Sequence, residues 1–301
     1  MNIEAARAFI IRNARPLDLA RWQYLFESGS RQAVLNALAA YQNADGGFGH
    51  ALEPDCWNPC SSPVQTWAAT EILREIAPVD PAHPIIQGIL RYLETTPDFD
   101  GHTYRQTIPS NDDHPHAPWW RFDPAQTTCY NPTASLAGFA LRYAPCGSAL
   151  RRTAARLAQE AFAYLREHAP LDSMHTTACF VSLYEDLVAC GEKALVDLRA
   201  FEALLQAQLR HVLEADTSVW ATEYVCKPSL LIHSPTSAFF ASNQALCASE
   251  CAFIAETQQA DGTWPITWDW GDASEPWHIS KNWWKADVII KNVRFVQAMQ
   301  A

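Results

Sequence analysis

The chain has 301 residues, of which 49% are hydrophobic, and a formal net charge of −11. This composition provides a substantial core, and the acidic charge argues against nucleic acid as a partner, because phosphate binding needs a basic face. The longest apolar stretches are too short and too interrupted for a membrane span.

The N-terminus lacks the basic and apolar segments of a signal peptide. The 9 cysteines are an odd number in a chain of this length, which fits reduced thiols better than a disulfide framework. We therefore expect a cytoplasmic protein. No linker or compositional break divides the sequence, so we predict one domain over residues 1–301.

Helical periodicity dominates the chain from start to end. Apolar side chains recur at helical spacing over residues 18–41, 150–168, 173–190, 195–214 and 281–299. No segment shows the sustained alternation of a strand between hairpin turns. The sequence predicts an all-α fold.

Several predicted helices begin with a capping side chain before a proline. These starts are Ser62–Pro63, Asn131–Pro132 and Ser234–Pro235, and Asp172–Ser173 and Ser280 are further candidate caps. Their average spacing, roughly 50 residues, suits one helical hairpin and a loop per unit. The loops before the helices are long and polar, at 43–61, 97–130, 215–233 and 260–279. Such loops on a rigid scaffold commonly carry function.

Tryptophan is abundant, with 12 residues, and two pairs are adjacent in the sequence. Trp119–Trp120 and Trp283–Trp284 cannot each place both rings in one helix–helix seam. We therefore expect one ring of each pair to face elsewhere.

Two segments far apart in the chain share the pattern Gln-x-x-Asp-Gly-x-aromatic. They span Gln42 to Phe48 and Gln258 to Trp264. Each follows an amphipathic helix, and Asp-Gly favours a tight turn in which the glycine takes positive φ. The match favours a shared structural unit over two unrelated turns.

These turns resemble the glutamine–tryptophan repeats of squalene and other terpene cyclases and the related turns of protein prenyltransferase β subunits. Residues 13–23 and 42–67 also look like a family of bacterial prenyltransferase-like proteins. The resemblance implies an α/α toroid of about five to six helical hairpins around a central cavity. Similar turns occur in toroidal polysaccharide lyases and glycosidases, so they indicate architecture rather than substrate.

The catalytic motifs of those enzymes are absent. There is no Asp-x-Asp-Asp acid motif, and Ser110–Asp113 is the nearest string; Asp112–His116 has histidine where the magnesium motif of class I synthases needs an acid. Asp55 and Cys56 are adjacent, unlike the Asp-x-Cys zinc ligands of protein prenyltransferases. The resemblance predicts a fold without a mechanism.

Closing a ring would bring the loops after the two matched turns to one pocket. The catalytic candidates in these loops are His50, Glu53, Asp55 and Asp269. Glu53 and Asp269 are the leading general acid and base, because each is flanked by apolar or aromatic residues. The alternative is that these acids cap helices or accept hydrogen bonds from loop amides.

The substrate-binding candidates are Trp57, Trp67, Glu223, Trp268, Trp270, Trp277, His278 and Trp283. Glu223 could instead pair with Lys227.

Metal binding has three weaker candidates. They are His50, Glu53 and Asp55 with Asp269; the acids and histidines of Asp112–His116; and Cys56 and Cys60 with Cys247 and Cys251. The first set matches no established ligand spacing, the second fits a solvated acidic loop, and cysteines four apart in an apolar helix are typical core residues. We assign no metal ligand and leave the cofactor open, including a divalent cation.

Three functions fit the sequence. An isoprenoid cyclase or prenyltransferase-like enzyme would use an indole-lined cavity to stabilise carbocations. A carbohydrate-active hydrolase or lyase would stack sugars on indoles and use paired carboxylates. A non-catalytic protein would use the toroid as a binding surface. The partner is a small molecule, isoprenoid or oligosaccharide; fold analogy ranks isoprenoid first, and the oligomeric state is left open.

Overall fold

The computed structural model describes residues 1–125, 130–192 and 194–300. In this part of the chain it contains eleven α-helices and no β-strand, which confirms the all-α prediction. The helices are α1 Ile3–Asn13, α2 Pro16–Phe26, α3 Arg31–Ala39, α4 Pro63–Glu75, α5 Pro84–Thr95, α6 Thr133–Tyr143, α7 Ala149–His168, α8 Met174–Ala189, α9 Leu198–Val212, α10 Gln244–Thr257 and α11 Glu275–Gln300. Residues 126–129 of the predicted loop 97–130 lie outside the described residues.

The helices form two compact units. Unit 1 comprises Met1–Ala40 and Leu213–Ala301, and unit 2 comprises Tyr41–Val212. One domain over residues 1–301 stays a prediction. None of the described helices is both long and apolar enough to cross a membrane.

Unit 2 is built from two layers of helices. α4, α6 and α8 lie side by side in one layer, and α5, α7 and α9 in the other. α6 is buried along nearly its whole length, because its neighbours in both layers cover it. Small residues such as Ser135 and Gly138 allow this close packing; a Cβ on Gly138 would lie 2.8 Å from Asp186 Oδ2.

A buried ionic network joins the three helices of the first layer. The Asp186 carboxylate of α8 accepts from Arg74 of α4 at 2.5 Å and from Arg142 of α6 at 3.3 Å. Arg74 also bonds the Glu71 carboxylate at 2.7 Å and the Ser135 carbonyl at 2.9 Å. Asp186 is 1% exposed, so its charge depends on these cations rather than on water.

Unit 1 is organised around α11, its longest helix. α11 packs against α1, α2 and α10. A second ionic network fixes this arrangement: Arg21 of α2 donates to both Asp18 and Asp287, each at 2.9 Å, and Lys291 pairs with Asp287 at 2.7 Å. The two aspartates are buried and therefore need these partners.

Most predicted helices are present, with altered ends. The segments 150–168, 173–190, 195–214 and 281–299 correspond to α7, α8, α9 and α11. The segment 18–41 is instead two helices, α2 and α3. They are separated where Ser28 adopts a φ of 61° and the Gly29 N–H returns to the Gln23 carbonyl at 2.7 Å.

The predicted caps have mixed outcomes. Ser62 and Ser173 accept the expected backbone N–H bonds at α4 and α8, which confirms both. Asn131–Pro132 is a cis peptide, and α6 begins only at Thr133 without a side-chain cap. Two predictions are wrong: residues 235–243 form turns and a short 3-10 helix before α10, and Ser280 lies inside α11 because that helix already begins at Glu275.

Candidate functional site

The first matched turn is held by its glutamine and aspartate. Gln42 Nε2 donates to the Gly46 carbonyl at 2.9 Å and to the Ile85 carbonyl of α5 at 3.1 Å. The Asp45 carboxylate accepts the Gly47 N–H at 2.9 Å. Gly46 has a φ of +96°, and a Cβ there would lie 2.1 Å from the Gly88 carbonyl oxygen. The turn therefore rests directly on the first turns of α5.

The second matched turn makes the same set of bonds on α1. Gln258 Nε2 donates to the Gly262 carbonyl at 3.1 Å and to the Asn2 carbonyl at 3.0 Å. The Asp261 carboxylate accepts the Thr263 N–H at 3.1 Å. Gly262 has a φ of +90°, and a Cβ there would lie 2.3 Å from the backbone of Ala5. The N-terminal helix thus supports this turn as α5 supports the first.

The loop after the first turn contains local backbone strain. His50 and Ala51 are consecutive non-glycine residues with φ of 59°. Such a conformation costs about 1–3 kcal/mol per residue and is enriched at functional sites. The His50 ring is exposed, and its Nε2 lies 2.9 Å from Asn43 Oδ1. The chain enters the interior at this point, and residues 51–56 are buried.

The two predicted acids of this loop are buried. Glu53 is 6% and Asp55 2% exposed. Gln65 of α4 braces the loop, since it accepts the Glu53 N–H and donates to the Cys56 carbonyl, both at 2.7 Å. Glu53 Oε2 in turn accepts the Asp55 N–H at 2.9 Å. The Glu53 carboxylate therefore contributes to the loop's structure, as the alternative interpretation of these acids predicts.

A neighbouring loop, around residues 110–117, closes over this segment. Asn111 Oδ1 accepts from Asn58 Nδ2 at 2.9 Å, and the Ala117 N–H donates to the Asp55 carbonyl at 2.8 Å. Burial raises the pKa of the Cys56 thiol to about 12. A thiol in that environment stays protonated and acts as a structural group.

The two predicted indoles of unit 2 are half-buried. Trp57 donates its indole N–H to the Pro54 carbonyl at 3.2 Å, which fixes the ring beside the acidic segment. Trp67 lies on α4, one turn after its cap.

Three aromatic rings meet in unit 1. Trp268 contacts Tyr224 at a centroid distance of 5.1 Å and Trp284 at 5.3 Å. The two tryptophan planes are inclined by 80°, so the rings form what we call the aromatic corner, made of Tyr224, Trp268 and Trp284. The Tyr224 side of the corner is open, because this residue is 49% exposed. The Trp284 indole N–H is buried without a hydrogen-bond partner among the described residues.

An exposed carboxylate is adjacent in sequence to two of the three rings. Glu223 precedes Tyr224, and Asp269 follows Trp268. One Asp269 oxygen accepts the Gly271 N–H at 2.7 Å, the turn-stabilising role that was the alternative for this acid. The predicted pairing of Glu223 with Lys227 is not formed; Lys227 donates to the Trp220 carbonyl at 3.4 Å.

The remaining substrate-binding candidates of unit 1 are not part of the aromatic corner. Trp270 and Trp277 are 6% and 4% exposed, and their rings lie 6.0 Å apart. Trp283 is half-buried beneath the Arg15 guanidinium, 5.5 Å from its ring. His278 is exposed, and its Nδ1 lies 2.7 Å from the Ser274 carbonyl.

The sequence candidates omitted two members of the aromatic corner, Tyr224 and Trp284. The available signal was the expectation that adjacent tryptophans face different ways. It is confirmed: Trp283 packs on Arg15 and Trp284 on Trp268, while Trp119 is 45% exposed and its neighbour Trp120 only 9%.

A buried carboxylate anchors the segment that follows Tyr224. Glu250 of α10 is 1% exposed and accepts both the Ser229 N–H at 2.7 Å and the Ser229 hydroxyl at 2.6 Å. Burial raises the pKa of Glu250 to about 7, against the opposing effects of the Ser229 bonds and the Lys227 charge. The same burial lowers the pKa of Lys227.

We expect unfolding stability to fall between pH 4.5 and 7 because of Glu250. The folded chain keeps the proton up to about pH 7, whereas an ordinary glutamate releases it near 4.5. The neutral carboxyl thus stabilises the fold fully below pH 4.5, and this contribution, on the order of 3 kcal/mol, is lost as pH rises to 7. Glu250→Gln keeps the shape without the titration, so urea unfolding of this variant should show a smaller decline over the same range. An identical decline in both proteins would contradict the assignment.

The described residues contain no group of three or more His, Cys, Asp or Glu side chains arranged to hold a metal. The eight cysteines in this part of the chain are free thiols; Cys129 lies outside it. Cys247 of the proposed zinc set is buried on α10, with Cys251 one turn later. Comparisons of this chain with protein families, with curated proteins and with solved structures found no match.

Proposed function

We propose that the protein binds and processes a saccharide, and that the aromatic corner of unit 1 is the subsite that holds one sugar ring. The observation that carries this proposal is the contact of exposed Tyr224 with half-buried Trp268, together with the exposed carboxylates adjacent to them in sequence. Aromatic faces bury the apolar face of a sugar, while carboxylates accept hydrogen bonds from its hydroxyls.

The chemistry of the corner supports a polar ligand over a hydrocarbon. Asp269 and Glu223 are exposed to water, and a hydrocarbon beside them would remove water from charged groups without compensation. The Trp284 indole N–H lacks a partner among the described residues and matches an oxygen acceptor. In this proposal Asp269 is the carboxylate for general acid–base work on the bound sugar.

The proposal includes the α/α toroid expected from the sequence. What supports it is the equivalence of the two turns: each glutamine bonds a helix N-terminal carbonyl, at Ile85 in one unit and at Asn2 in the other. A chain whose last turn rests on its first helix has the connectivity that a closed ring requires.

The test is ligand binding by purified protein and by Trp268→Ala. We expect neutral or charged oligosaccharides of three to six sugars to raise the melting temperature of the wild-type protein. Trp268→Ala should weaken their binding about 10-fold or more in isothermal titration, because it removes the central ring of the corner.

The matched control is Trp119→Ala, which removes an exposed indole from unit 2. It should bind the same oligosaccharides within about 2-fold of wild type, a difference of less than 1 kcal/mol. Stabilisation by prenyl diphosphates with magnesium, and by no oligosaccharide, would overturn the proposal in favour of an isoprenoid ligand. Equal losses in both variants would overturn the assignment to the aromatic corner.

A further inference from the structure

We propose that the saccharide held by the aromatic corner is cationic, with an ammonium group placed against the rings of Tyr224, Trp268 and Trp284. This inference rests on the proposed function and specifies the substrate class. An amino-sugar oligomer is the ligand of this chemistry.

The rings themselves favour a cation. Trp268 and Trp284 meet at 80°, so the corner presents ring faces in two directions rather than one flat surface. The face of an aromatic ring carries the negative part of its quadrupole and attracts an ammonium, most strongly for tryptophan. Tyr224 leaves the corner accessible to such a group, since it is 49% exposed.

The two loop segments at the corner are acidic, whereas Lys281 and Lys285 flank Trp284 on α11. The segments 214–224 and 268–278, which carry Tyr224 and Trp268, contain no lysine or arginine. Their six acids are Glu214, Asp216, Glu223, Asp269, Asp272 and Glu275.

None of these six acids forms an ion pair within residues 1–125, 130–192 and 194–300. The lysines closest in sequence each lie over a ring outside the corner: Lys227 over Phe253, Lys281 over Trp277 and Lys285 over Phe9. The six loop acids outnumber these three lysines, so the net charge of these segments is negative, in keeping with a chain of net charge −11.

Hydrogen-bonding capacity points the same way. Carboxylates only accept, and an ammonium only donates, with three N–H groups. Asp269 and Asp272 each use one oxygen on a backbone N–H, of Gly271 and Ser274 respectively. Their acceptor capacity exceeds what those turns need, so a ligand rich in donors is the best complement.

The experiment compares three ligands by isothermal titration near pH 6. They are a glucosamine tetramer, its fully N-acetylated and hence neutral form, and choline as an ammonium without a sugar. We expect the glucosamine tetramer to bind at least about 10-fold more tightly than the acetylated tetramer. Its affinity should also fall with added salt, as an interaction between exposed charges requires.

The variant pair isolates the carboxylates from net charge. Glu223→Gln with Asp269→Asn should lose most of the preference for the glucosamine tetramer over the acetylated tetramer. Glu167→Gln with Asp172→Asn removes the same charge from exposed positions in unit 2 and should keep the preference.

The outcomes separate the two proposals. Equal binding of both tetramers would overturn the cationic inference and leave the saccharide function in place. Binding of neither tetramer would overturn the proposed function itself. Choline binding as tight as that of the glucosamine tetramer would support the ammonium subsite and overturn the saccharide assignment.

Discussion

Asp186→Ala is expected to lower the free energy of unfolding by about 3–5 kcal/mol, the usual cost of removing one partner from a buried ion pair. The carboxylate is 1% exposed and is shared by Arg74 and Arg142, so its removal leaves the side chain of Arg74 buried beside an unfilled space. Because these arginines belong to α4 and α6, the loss affects all three helices of the layer. Chemical unfolding in urea, followed by circular dichroism, measures the change.

Two further variants test the cause. Asp186→Asn keeps the volume and one acceptor, so it should fall between wild type and Asp186→Ala. Asp172→Asn removes a carboxylate whose side chain is 99% exposed and whose partner is His211, and it should change the unfolding midpoint little. If Asp186→Ala and Asp172→Asn unfold at the same urea concentration, the network does not stabilise the layer.

Gly46→Ala and Gly262→Ala are each expected to cost roughly 2–5 kcal/mol, the sum of left-handed backbone strain and overpacking. At φ of +96° and +90°, an alanine is strained before any contact is considered. Its Cβ would also lie 2.1 Å from the Gly88 oxygen or 2.3 Å from the Ala5 backbone, which cannot yield as a flexible side chain would. Thermal and urea unfolding of each variant measure the loss.

Gly101→Ala is the matched control for both turns. Gly101 has a φ of +99°, and a Cβ there meets nothing within 4 Å. This variant reports the backbone strain alone, about 1–2 kcal/mol. Any further loss of unfolding free energy at Gly46 and Gly262 then measures the close packing of each turn against its helix. Equal costs at the three glycines would mean that neither turn rests on a helix.

The helices were predictable because burial repeats along them at helical spacing. α7, α8 and α9 each present a clear apolar stripe. The boundary between α2 and α3 was not predictable from the sequence, since it depends on the left-handed conformation of Ser28 within an otherwise periodic segment. The start of α10 was also missed, because Ser234–Pro235 has the local chemistry of a cap without the helix that normally follows.

The candidate site was predictable in its residues and less so in their environments. Glu53 and Asp269 look alike in sequence, each an acid beside apolar or aromatic neighbours. The structure buries the first under Gln65 and the loop around Asn111, and exposes the second. The difference in burial arises from contacts between segments that are distant in sequence, and the residues adjacent to each acid do not reveal it. The aromatic corner likewise unites Tyr224 with Trp284, sixty positions later.

The bond between Gln258 and Asn2 also constrains the order of folding. These residues are 256 positions apart, so α1 cannot gain this partner until Gln258 has been synthesised. Unit 2, by contrast, is one continuous segment, Tyr41–Val212, whose helices contact near neighbours in sequence. Local contacts form fastest and distant closures last. The turn at Gln258 therefore supports α1 only after all of unit 2 has been synthesised.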